Sequence, residues 1–241
     1  MSGADDPGMA ADDAGEHVAR AYRAGKRTFM GVDLLVAPGA LVPRAETELL
    51  GRTAEQLLGG LSPGADGTLQ VIDMCCGSGN LACALAAGNP RLRVYAADLT
   101  DGCVDLARRN VDHLGLGGRV SVHQGDLFEA LAAIALAGAV DMIVCNPPYI
   151  STARLAKDRV TLLEREPLEA FDGGPYGLSI HQRVIKDAPR YLKPAGTLLF
   201  EMGLGQERQL KLLFDRARTY RDVHFVEDAQ GSPRVAVASI A

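Results

Sequence analysis

The sequence predicts an α/β fold built on a doubly wound, mostly parallel β-sheet with an antiparallel edge strand. Short segments rich in Val, Ile and Leu alternate with amphipathic segments from residue 69 to residue 217, which is typical of parallel strands joined by crossover helices. The last two apolar segments have only a turn between them, and this predicts the antiparallel edge. Glycine and proline are frequent, with 27 and 12 residues, as expected where many strands turn tightly into helices.

The predicted strands are short apolar runs bounded by turn residues. They cover residues 69–75, 92–98, 119–126, 140–146 and 196–202, and a closing pair covers 222–227 and 234–240 around a turn at Gly231-Ser232-Pro233. Apolar side chains at helical spacing predict the helices between them. These helices cover 79–87, 102–113, 127–136, 182–192 and 206–216, and we expect residues 150–180 to be irregular.

The chain before this alternation is expected to form an appendage to the sheet. Residues 1–13 are acidic and hold few large apolar side chains, which predicts a disordered tail. We expect a short helix at 16–24, a hairpin or extended arm around Pro38-Gly39, and a helix over 47–58. The turn-rich stretch 61–67 is the best internal boundary. The predicted organisation is therefore a tail and short helix (1–28), an arm and helix packing on the core (29–60), and a ligand-binding domain (61–241).

Composition excludes several classes of protein. A net charge of -5 argues against a protein that holds extended nucleic acid, because that needs clustered Lys and Arg. The five cysteines lie in or beside apolar segments, with no CxxC pair and no histidines at ligand spacing, so we expect buried thiols in a reducing compartment and no metal site. The N-terminus does not resemble a signal peptide, and no apolar run reaches the ~20 residues of a membrane span. We therefore expect a cytoplasmic protein.

A glycine-rich turn, "DMCCGSGNLA" at 73–82, connects the first strand of the alternation to its helix. Gly77 and Gly79 permit backbone angles and close ligand approach that side chains would block. Asp98 ends the next strand, 19 positions after Gly79, where a carboxylate can bind ribose hydroxyls. Asp126 ends the third strand, where a carboxylate can accept from an adenine amino group. Each feature alone also suits a structural turn or a helix cap, but together they predict an adenosine pocket.

Asp73 favours one adenosine ligand over another. It precedes the glycines, where it could face a cationic or amino group. A dinucleotide would bring a pyrophosphate, for which the loop should carry a fuller glycine set, whereas the third glycine position is Ala82. S-adenosylmethionine carries an ammonium and a sulfonium instead, and its carboxylate could rest on the N-terminus of the first helix. The acidic loop therefore predicts S-adenosylmethionine as the cofactor.

The stretch "NPPY" at 146–149 forms a stiff corner directly after the fourth strand. Each proline fixes its own φ and disfavours the α conformation in the residue before it, which holds Asn146 and Pro147 extended. The Asn146 side-chain oxygen and the Pro147 carbonyl are thereby aimed at one point, and Tyr149 can present a ring face above a planar group. Two acceptors that hold both hydrogens of a planar NH2 direct its lone pair towards an electrophilic carbon. The corner predicts direct displacement by positioning, with no strongly basic residue.

The ordered motifs resemble those of the class I S-adenosylmethionine-dependent methyltransferases, and more specifically the release-factor glutamine N5-methyltransferases, or HemK-like proteins. The likeness runs from Phe29 to the C-terminus and includes "VPRAETELL", "DMCCGSGNLA", "GDLF", "NPPYIS", "EPLEAFDGGPYGL" and "DAQGSPR". It implies a Rossmann-like methyltransferase domain. The implied cofactor residues are Asp73, Cys75, Gly77, Gly79, Asn80, Asp98, Leu99, Asp126, Leu127 and Asn146; the implied catalytic residues are Asn146, Pro147 and Tyr149.

The same resemblance implies a substrate side to the pocket. Arg44, Glu46 and Pro148 would lie there, although a structural, salt-bridged role for Arg44 and Glu46 is an equal alternative. Glu166-Pro167 and Gly173-Gly174 would shape this side, and Asp228 with Arg234 would hold the last hairpin together. Family members that modify release factors carry a sizeable N-terminal helical domain, and only about 28 residues precede the shared region here. The core therefore predicts the activity better than it predicts the substrate.

Four functions stay open from the sequence. The first is a methyltransferase acting on a planar amide or amine nitrogen, with protein glutamine as the substrate that the resemblance implies. The second is a biosynthetic enzyme that methylates a small molecule or uses another carbon of the sulfonium, by alkyl transfer or cyclisation. A nucleic-acid adenine methyltransferase or RNA-binding module is disfavoured by the acidic balance, and a catalytically silent scaffold by the intact glycine turn and Asn146. The oligomeric state is not predicted.

Overall fold

The computed structural model describes residues 7–156 and 166–241, so part of the predicted irregular segment 150–180 lies outside the described residues. The strands are β1 Lys26–Phe29, β2 Val32–Leu35, β3 Leu69–Met74, β4 Leu92–Asp98, β5 Val120–Gln124, β6 Val140–Cys145, β7 Leu192–Glu201, β8 Tyr220–Glu227 and β9 Pro233–Ile240. The α-helices are α1 Pro7–Ala24, α2 Glu48–Gly59, α3 Asn80–Gly88, α4 Asp101–His113, α5 Ser179–Asp187 and α6 Glu207–Ala217. Short 3-10 turns lie at Leu127–Leu131, Leu168–Ala170 and Ala188–Arg190.

Within the described part of the chain, seven strands form one sheet in the order β5-β4-β3-β6-β7-β9-β8. Strands β5, β4, β3, β6 and β7 pair in parallel, whereas β9 pairs antiparallel with both β7 and β8. The predicted fold class is therefore confirmed, including the antiparallel edge. The strand order reverses direction at β3, which opens a crevice at the carboxyl ends of β3, β4 and β6.

Helices cover both faces of this sheet and create two apolar layers. One layer joins α2, α3 and α4 to the sheet through side chains such as Leu50, Leu85 and Val111. The other joins α5 and α6 to the opposite face through side chains such as Ile185 and Phe214. Strands β3 and β6 are buried along almost their whole length, because helices cover them on both sides, and this explains their continuous apolar sequences.

The N-terminal arm is tied to the first layer. Phe29 and Leu34 of the β1–β2 hairpin are fully buried in it. The Asn110 side chain of α4 accepts from the Leu35 N–H at 2.7 Å and donates to the Ser78 carbonyl at 2.9 Å. One buried amide therefore links the arm to the glycine turn. No described helix is long and apolar enough to cross a membrane.

Several predicted elements of the N-terminal region were wrong in position. A helix begins at Pro7, so the predicted disorder does not extend over 7–13. Of the two alternatives predicted around Pro38-Gly39, the hairpin was wrong, because the hairpin turns at Met30-Gly31, where Gly31 has φ +86°. Residues 36–47 form neither strand nor helix, which leaves the arm as the other alternative. A two-residue turn needs positive φ at its centre, and both Met30 and Gly31 supply it.

Of two helix predictions in the second half of the chain, one was wrong and the other was confirmed with displaced bounds. Residues 127–136 form a 3-10 turn and then loop, because the chain leaves β5 through Gly125 and Leu127, both with positive φ. The helix predicted at 182–192 lies at Ser179–Asp187. Pro189 falls in the following 3-10 turn, since proline has no N–H to continue an α-helix.

Candidate active site

A cavity of about 420 Å³ lies at the carboxyl ends of β3, β4 and β6, in the crevice expected from the strand order. Its volume falls within the range of roughly 300–1,000 Å³ that is usual for small-molecule sites. The described residues that line it include Cys75, Gly77, Asn80, Asp98, Leu99, Asp126, Leu127, Asn146 and Pro148. Most of the predicted cofactor residues are therefore brought together around one space, which we call the first cavity.

The glycine turn forms the floor of the first cavity. Gly77 has φ +54°, and a Cβ added there would meet no atom within 4 Å, so the position opens onto free space. Its N–H donates to the Asp98 Oδ2 atom at 2.8 Å, which fixes the turn against the end of β4. Gly79 has φ +76°, and a Cβ there would lie 3.2 Å from the Ala107 Cβ. Gly79 thus lets the turn pack on α4 and does not itself line the cavity.

Asp98 and Leu99 form the wall at the end of β4. Both line the first cavity, and the Asp98 Oδ1 atom accepts from the Thr100 N–H at 3.3 Å. Leu99 is 56% exposed, so its apolar surface is accessible to a ligand in the first cavity. An apolar face beside a fixed carboxylate suits a nucleoside, with the base on Leu99 and the ribose on Asp98.

The adjoining wall is formed by Asp126 and Leu127, which follow β5, the neighbour of β4 in the sheet. The Asp126 carboxylate pairs with Arg183 of α5 at 2.8 Å, and both side chains are more than 40% exposed, so solvent screens the pair. Leu127 adopts φ +52°, which turns the chain back over the first cavity. The sequence did not predict the Arg183 pair, which leaves Asp126 at the cavity wall but with one partner already in place.

Asp73 does not line the first cavity. The side chain is fully buried, and its Oδ2 atom accepts from the Ala82 N–H in the first turn of α3 at 2.9 Å. Its Oδ1 atom is buried without a hydrogen-bond partner among the described residues. Burial raises the pKa of Asp73 to about 7, against the effect of the Ala82 bond. The predicted placement of Asp73 facing a cofactor group was wrong, because the carboxylate turns inward to the free N–H groups of the helix.

A second cavity of about 440 Å³ adjoins the first on the side of the N-terminal arm. Pro147, Tyr149 and Glu46 line only this second cavity, whereas Arg44 and Asn146 line both. Its further lining includes His17, Leu41, Glu201 and Arg234. Asn146 is therefore the residue of the NPPY corner that stands between the two spaces.

The Asn146 side chain is held in one orientation. Its Nδ2 atom donates to the Thr47 Oγ1 atom at 3.0 Å. No hydrogen bond to the Asn146 Oδ1 atom occurs among residues 7–156 and 166–241, so this acceptor is available to a ligand. Thr47 is buried and was not predicted as a site residue.

Tyr149 forms a wall of the second cavity. Its hydroxyl donates to the Glu201 Oε1 atom at 3.0 Å, and its backbone carbonyl accepts from the Gln206 side chain at 3.0 Å. The Arg234 guanidinium lies 5.9 Å from the ring centroid and 3.9 Å from the Glu201 carboxylate. Burial raises the pKa of Tyr149, and the Glu201 charge adds to this effect. Tyr149 is therefore a fixed, neutral ring.

The arm closes over both cavities through Arg44. The Arg44 guanidinium pairs with the Glu166 Oε2 atom at 2.5 Å, and the Glu166 Oε1 atom accepts from the Val42 N–H at 2.8 Å. Burial raises the pKa of Glu166, and Arg44 opposes the shift. Arg44 thus has the salt-bridged role that was one of its two predicted alternatives, and it also lines the cavities. Glu46 lines the second cavity, and no described contact pairs it with a base.

Asp228 and Arg234 were predicted to hold the last hairpin together, and this is confirmed for Asp228 but not for the Arg234 side chain. The Asp228 carboxylate accepts from the Gln230 and Ser232 N–H groups within its own turn, whereas Arg234 faces Tyr149 and Glu201. Thr47, Glu201 and Arg234 are therefore the site residues that sequence reasoning missed or misplaced. Thr47 and Arg234 lie within quoted motifs, "VPRAETELL" and "DAQGSPR", and Glu201 ends a predicted strand. That shared position at strand and helix ends is the signal that could have found them.

The strand order, with β9 reversed between β7 and β8, and the nucleoside-sized cavity over the glycine turn define a class I S-adenosylmethionine-dependent methyltransferase. Gly77 leaves open space, Asp98 offers a carboxylate, and Leu99 offers an apolar face, so the residues present fit this cofactor. Residues 52–165 match the model of the methyltransferase small domain.

The relatives give the family. The chain is 36% identical over 214 residues to the release factor glutamine methyltransferase of Geobacter sulfurreducens, covering 89% of this chain and 70% of that protein. It therefore belongs to the release factor glutamine methyltransferase family. It is also 36% identical over 195 residues to the ribosomal protein uL3 glutamine methyltransferase of Bradyrhizobium diazoefficiens, covering 78% of this chain and 58% of that one.

Solved structures agree on the fold. The N-terminal domain of human METTL16 in complex with SAH superposes with a TM-score of 0.61 at 15% identity, covering 94% of each chain. At this identity the likeness concerns the fold alone.

Proposed function

We propose that the chain transfers the methyl group of S-adenosylmethionine to the side-chain amide nitrogen of a glutamine in a protein substrate. One observation carries the proposal: Asn146 lines both cavities, with its side-chain nitrogen bound to Thr47 and its oxygen available. A substrate group that enters the second cavity therefore meets the Asn146 side-chain oxygen, a hydrogen-bond acceptor that lies next to the first cavity. The names of the relatives, which act on release factors and on ribosomal protein uL3, support glutamine as the acceptor.

The chemistry follows from positioning. When bound, S-adenosylmethionine supplies an electrophilic methyl carbon on a sulfonium. The Asn146 side-chain oxygen and the Pro147 carbonyl accept the two amide hydrogens, and the ring of Tyr149 walls the planar group. This arrangement turns the nitrogen lone pair out of conjugation and towards the methyl carbon. The C–S bond breaks as the N–C bond forms, and the nitrogen then releases one proton.

The remaining assigned residues support this geometry. Gly77, Asp98, Leu99, Asp126 and Leu127 would hold the adenosine. Cys75 and Asn80 would border the amino-acid part, and Asp73 and Gly79 would keep the turn in shape without touching the ligand. Arg44, Glu46 and Pro148 would shape the entrance for the substrate. The cytoplasmic location stays a prediction from the sequence.

The test is an acceptor assay. Purified bacterial release factor and purified ribosomal protein uL3 are each incubated with the enzyme and methyl-labelled S-adenosylmethionine, and the digested products are mapped by mass spectrometry. We expect one methyl group on a glutamine and one S-adenosylhomocysteine for each methyl transferred, with no transfer by Asn146→Ala. Consumption of cofactor to methylthioadenosine without either acceptor would instead establish the non-methyl chemistry and overturn the proposal.

A further inference from the structure

The catalytic use of Asn146 depends on which end of its side-chain amide faces the acceptor. The two ends have nearly the same shape, but the oxygen accepts hydrogen bonds and the nitrogen donates them. An NH2 acceptor group needs the oxygen. Rotation of the Asn146 amide by half a turn would place its NH2 group against the NH2 group of the substrate. Two donors cannot bond to each other, and the substrate nitrogen would lose its alignment with the methyl carbon. Something in the protein must therefore distinguish the two orientations.

Thr47 is the side chain that meets the nitrogen end. It is 2% exposed, and its Oγ1 atom lies 3.0 Å from the Asn146 Nδ2 atom. Threonine before the first residue of a helix ordinarily caps that helix with its hydroxyl. Thr47 occupies this position before α2, yet its side chain makes no capping bond. The hydroxyl is thus directed away from the helix and towards the NPPY corner.

Glu201 determines how the Thr47 hydroxyl is used. This carboxyl, at the end of β7, is 3% exposed and accepts from the Tyr149 hydroxyl at 3.0 Å. Burial raises the pKa of Glu201, and interactions with the Thr47 hydroxyl, Tyr149 and Arg234 oppose the shift. Its Oε2 atom is buried and has no hydrogen-bond partner among the described residues, so it offers an acceptor to which the rotatable Thr47 hydroxyl can turn its hydrogen. A hydroxyl turned in this way presents its oxygen to Asn146, and the amide nitrogen is the end of Asn146 that can donate to it.

We propose that Thr47 is a positioning residue for methyl transfer, which orients the Asn146 amide through its hydroxyl oxygen. This inference rests on the proposed function of Asn146. It adds that a buried threonine outside the NPPY corner holds the side-chain nitrogen of Asn146, while Glu201 holds the Tyr149 hydroxyl. Thr47 acts without contacting the substrate nitrogen itself.

The test compares Thr47→Val, which keeps the shape and loses the hydroxyl, with Thr47→Ser, which keeps the hydroxyl. Thr53→Val is the matched control, because the Thr53 hydroxyl lies on the same helix and donates to the Leu49 carbonyl of its own turn, at 2.7 Å. For each purified variant, kcat and KM are measured with release factor and with uL3 as acceptors. Cofactor affinity is measured by calorimetry and the unfolding temperature by calorimetric scanning.

We expect Thr47→Val to lower kcat about tenfold or more, since one oriented hydrogen bond is lost, with cofactor affinity and unfolding temperature close to those of Thr53→Val. Thr47→Ser should retain kcat within about threefold. Equal losses in the Ser and Val variants, or no loss in the Val variant, would overturn the proposal.

A second measurement keeps the inference separate from the acceptor. In a ¹H–¹⁵N spectrum, the side-chain NH2 signals of Asn146 are identified by their loss in Asn146→Asp. We expect the chemical shifts of these signals to change in Thr47→Val and to stay near the wild-type values in Thr47→Ser. If wild type methylates neither protein, the proposed function fails, and unchanged signals in Thr47→Val would independently show that Thr47 does not hold the amide.

Discussion

The substitution Asp73→Asn tests whether the buried carboxyl of the glycine turn is protonated at neutral pH. Asparagine keeps an oxygen that can accept from the Ala82 N–H, as the Asp73 Oδ2 atom does at 2.9 Å, and it carries no charge. The other carboxylate oxygen has no described partner. Ionising Asp73 therefore places a charge in the core with a single hydrogen bond, and this is why burial raises its pKa.

The magnitude follows from linkage. The pKa of Asp73 rises from the ordinary 3.8 to about 7 in the folded chain, so the folded state binds the proton more tightly than the unfolded state. The stabilisation is complete below the unfolded pKa and is lost as pH rises through the folded pKa. When the pH is raised from about 5 to about 8, the loss of this stabilisation should lower the free energy of unfolding by about 2.5 kcal/mol. In Asp73→Asn this contribution should vanish.

The assay is urea unfolding of wild type and Asp73→Asn at both pH values. Subtracting the two pH-dependent changes cancels the other titrating groups, including His181, whose pKa burial lowers to about 4. Asp66→Asn is the control, because hydrogen bonds from Thr68 lower the pKa of that exposed carboxyl. It is ionised at both pH values, so Asp66→Asn should show the same pH-dependent decline as wild type. Parallel decline of wild type and Asp73→Asn would refute the reasoning and show that Asp73 is ionised in the fold.

Three further substitutions test the site. Asn146→Ala should lower transfer at least about 100-fold while leaving cofactor affinity within a few-fold, measured by turnover and calorimetry; unchanged turnover would remove its role. Asp98→Ala should do the reverse and weaken cofactor binding about 10-fold to 100-fold, and equal affinity would exclude the ribose contact. Gly79→Ala should lower the free energy of unfolding by about 1–3 kcal/mol because of its positive φ and the nearby Ala107. Gly59→Ala, where a Cβ meets no atom within 4 Å, is its control in urea unfolding.

The sheet was predictable because its signal is local. The central strands β3 and β6 are apolar runs buried on both faces, and α4, which follows β4, has one apolar stripe that packs on the sheet. Chain connectivity then allows few arrangements. The 127–136 prediction failed for a physical reason of the same kind: Leu127, Phe128 and Leu131 are buried, as in a helix, but the positive φ of Leu127 prevents one from starting there.

The first cavity was predictable in part for a similar reason. Carboxyl ends of parallel strands meet at one edge, so Asp98 and Asp126 had to lie near the glycine turn. Asp73 misled because its position at a strand end was interpreted as a ligand contact. The Asp73 side chain could point to a ligand or to the free N–H groups at the start of α3, and it points to the helix. The periodicity of the sequence does not indicate which of the two a side chain contacts.

The sequence predicted only part of the second cavity, because its walls come from distant segments. Arg44 and Glu46 precede α2, Glu201 ends β7 and Arg234 lies at the start of β9, and no local pattern relates these segments. They meet because β9 inserts antiparallel between β7 and β8, which brings Val235 opposite Glu201. The motifs "VPRAETELL" and "DAQGSPR" include two of these segments, but a motif does not show which residues its side chains contact.

The rigidity of the NPPY corner has two sources, and only one is covalent. The prolines restrict Asn146 and Pro147, but the rest of the corner is fixed by packing. A Cβ on Gly173 would lie 2.7 Å from the Pro148 carbonyl oxygen, and one on Gly177 would collide with the Tyr149 carbonyl. The corner thus packs against backbone that carries no side chain. This explains the glycines of "GGPYG", a segment that lies far along the chain from the residues that it supports. Catalysis by positioning requires both sources. The two prolines fix the backbone conformation of the corner, whereas the surrounding contacts fix its position relative to the rest of the fold.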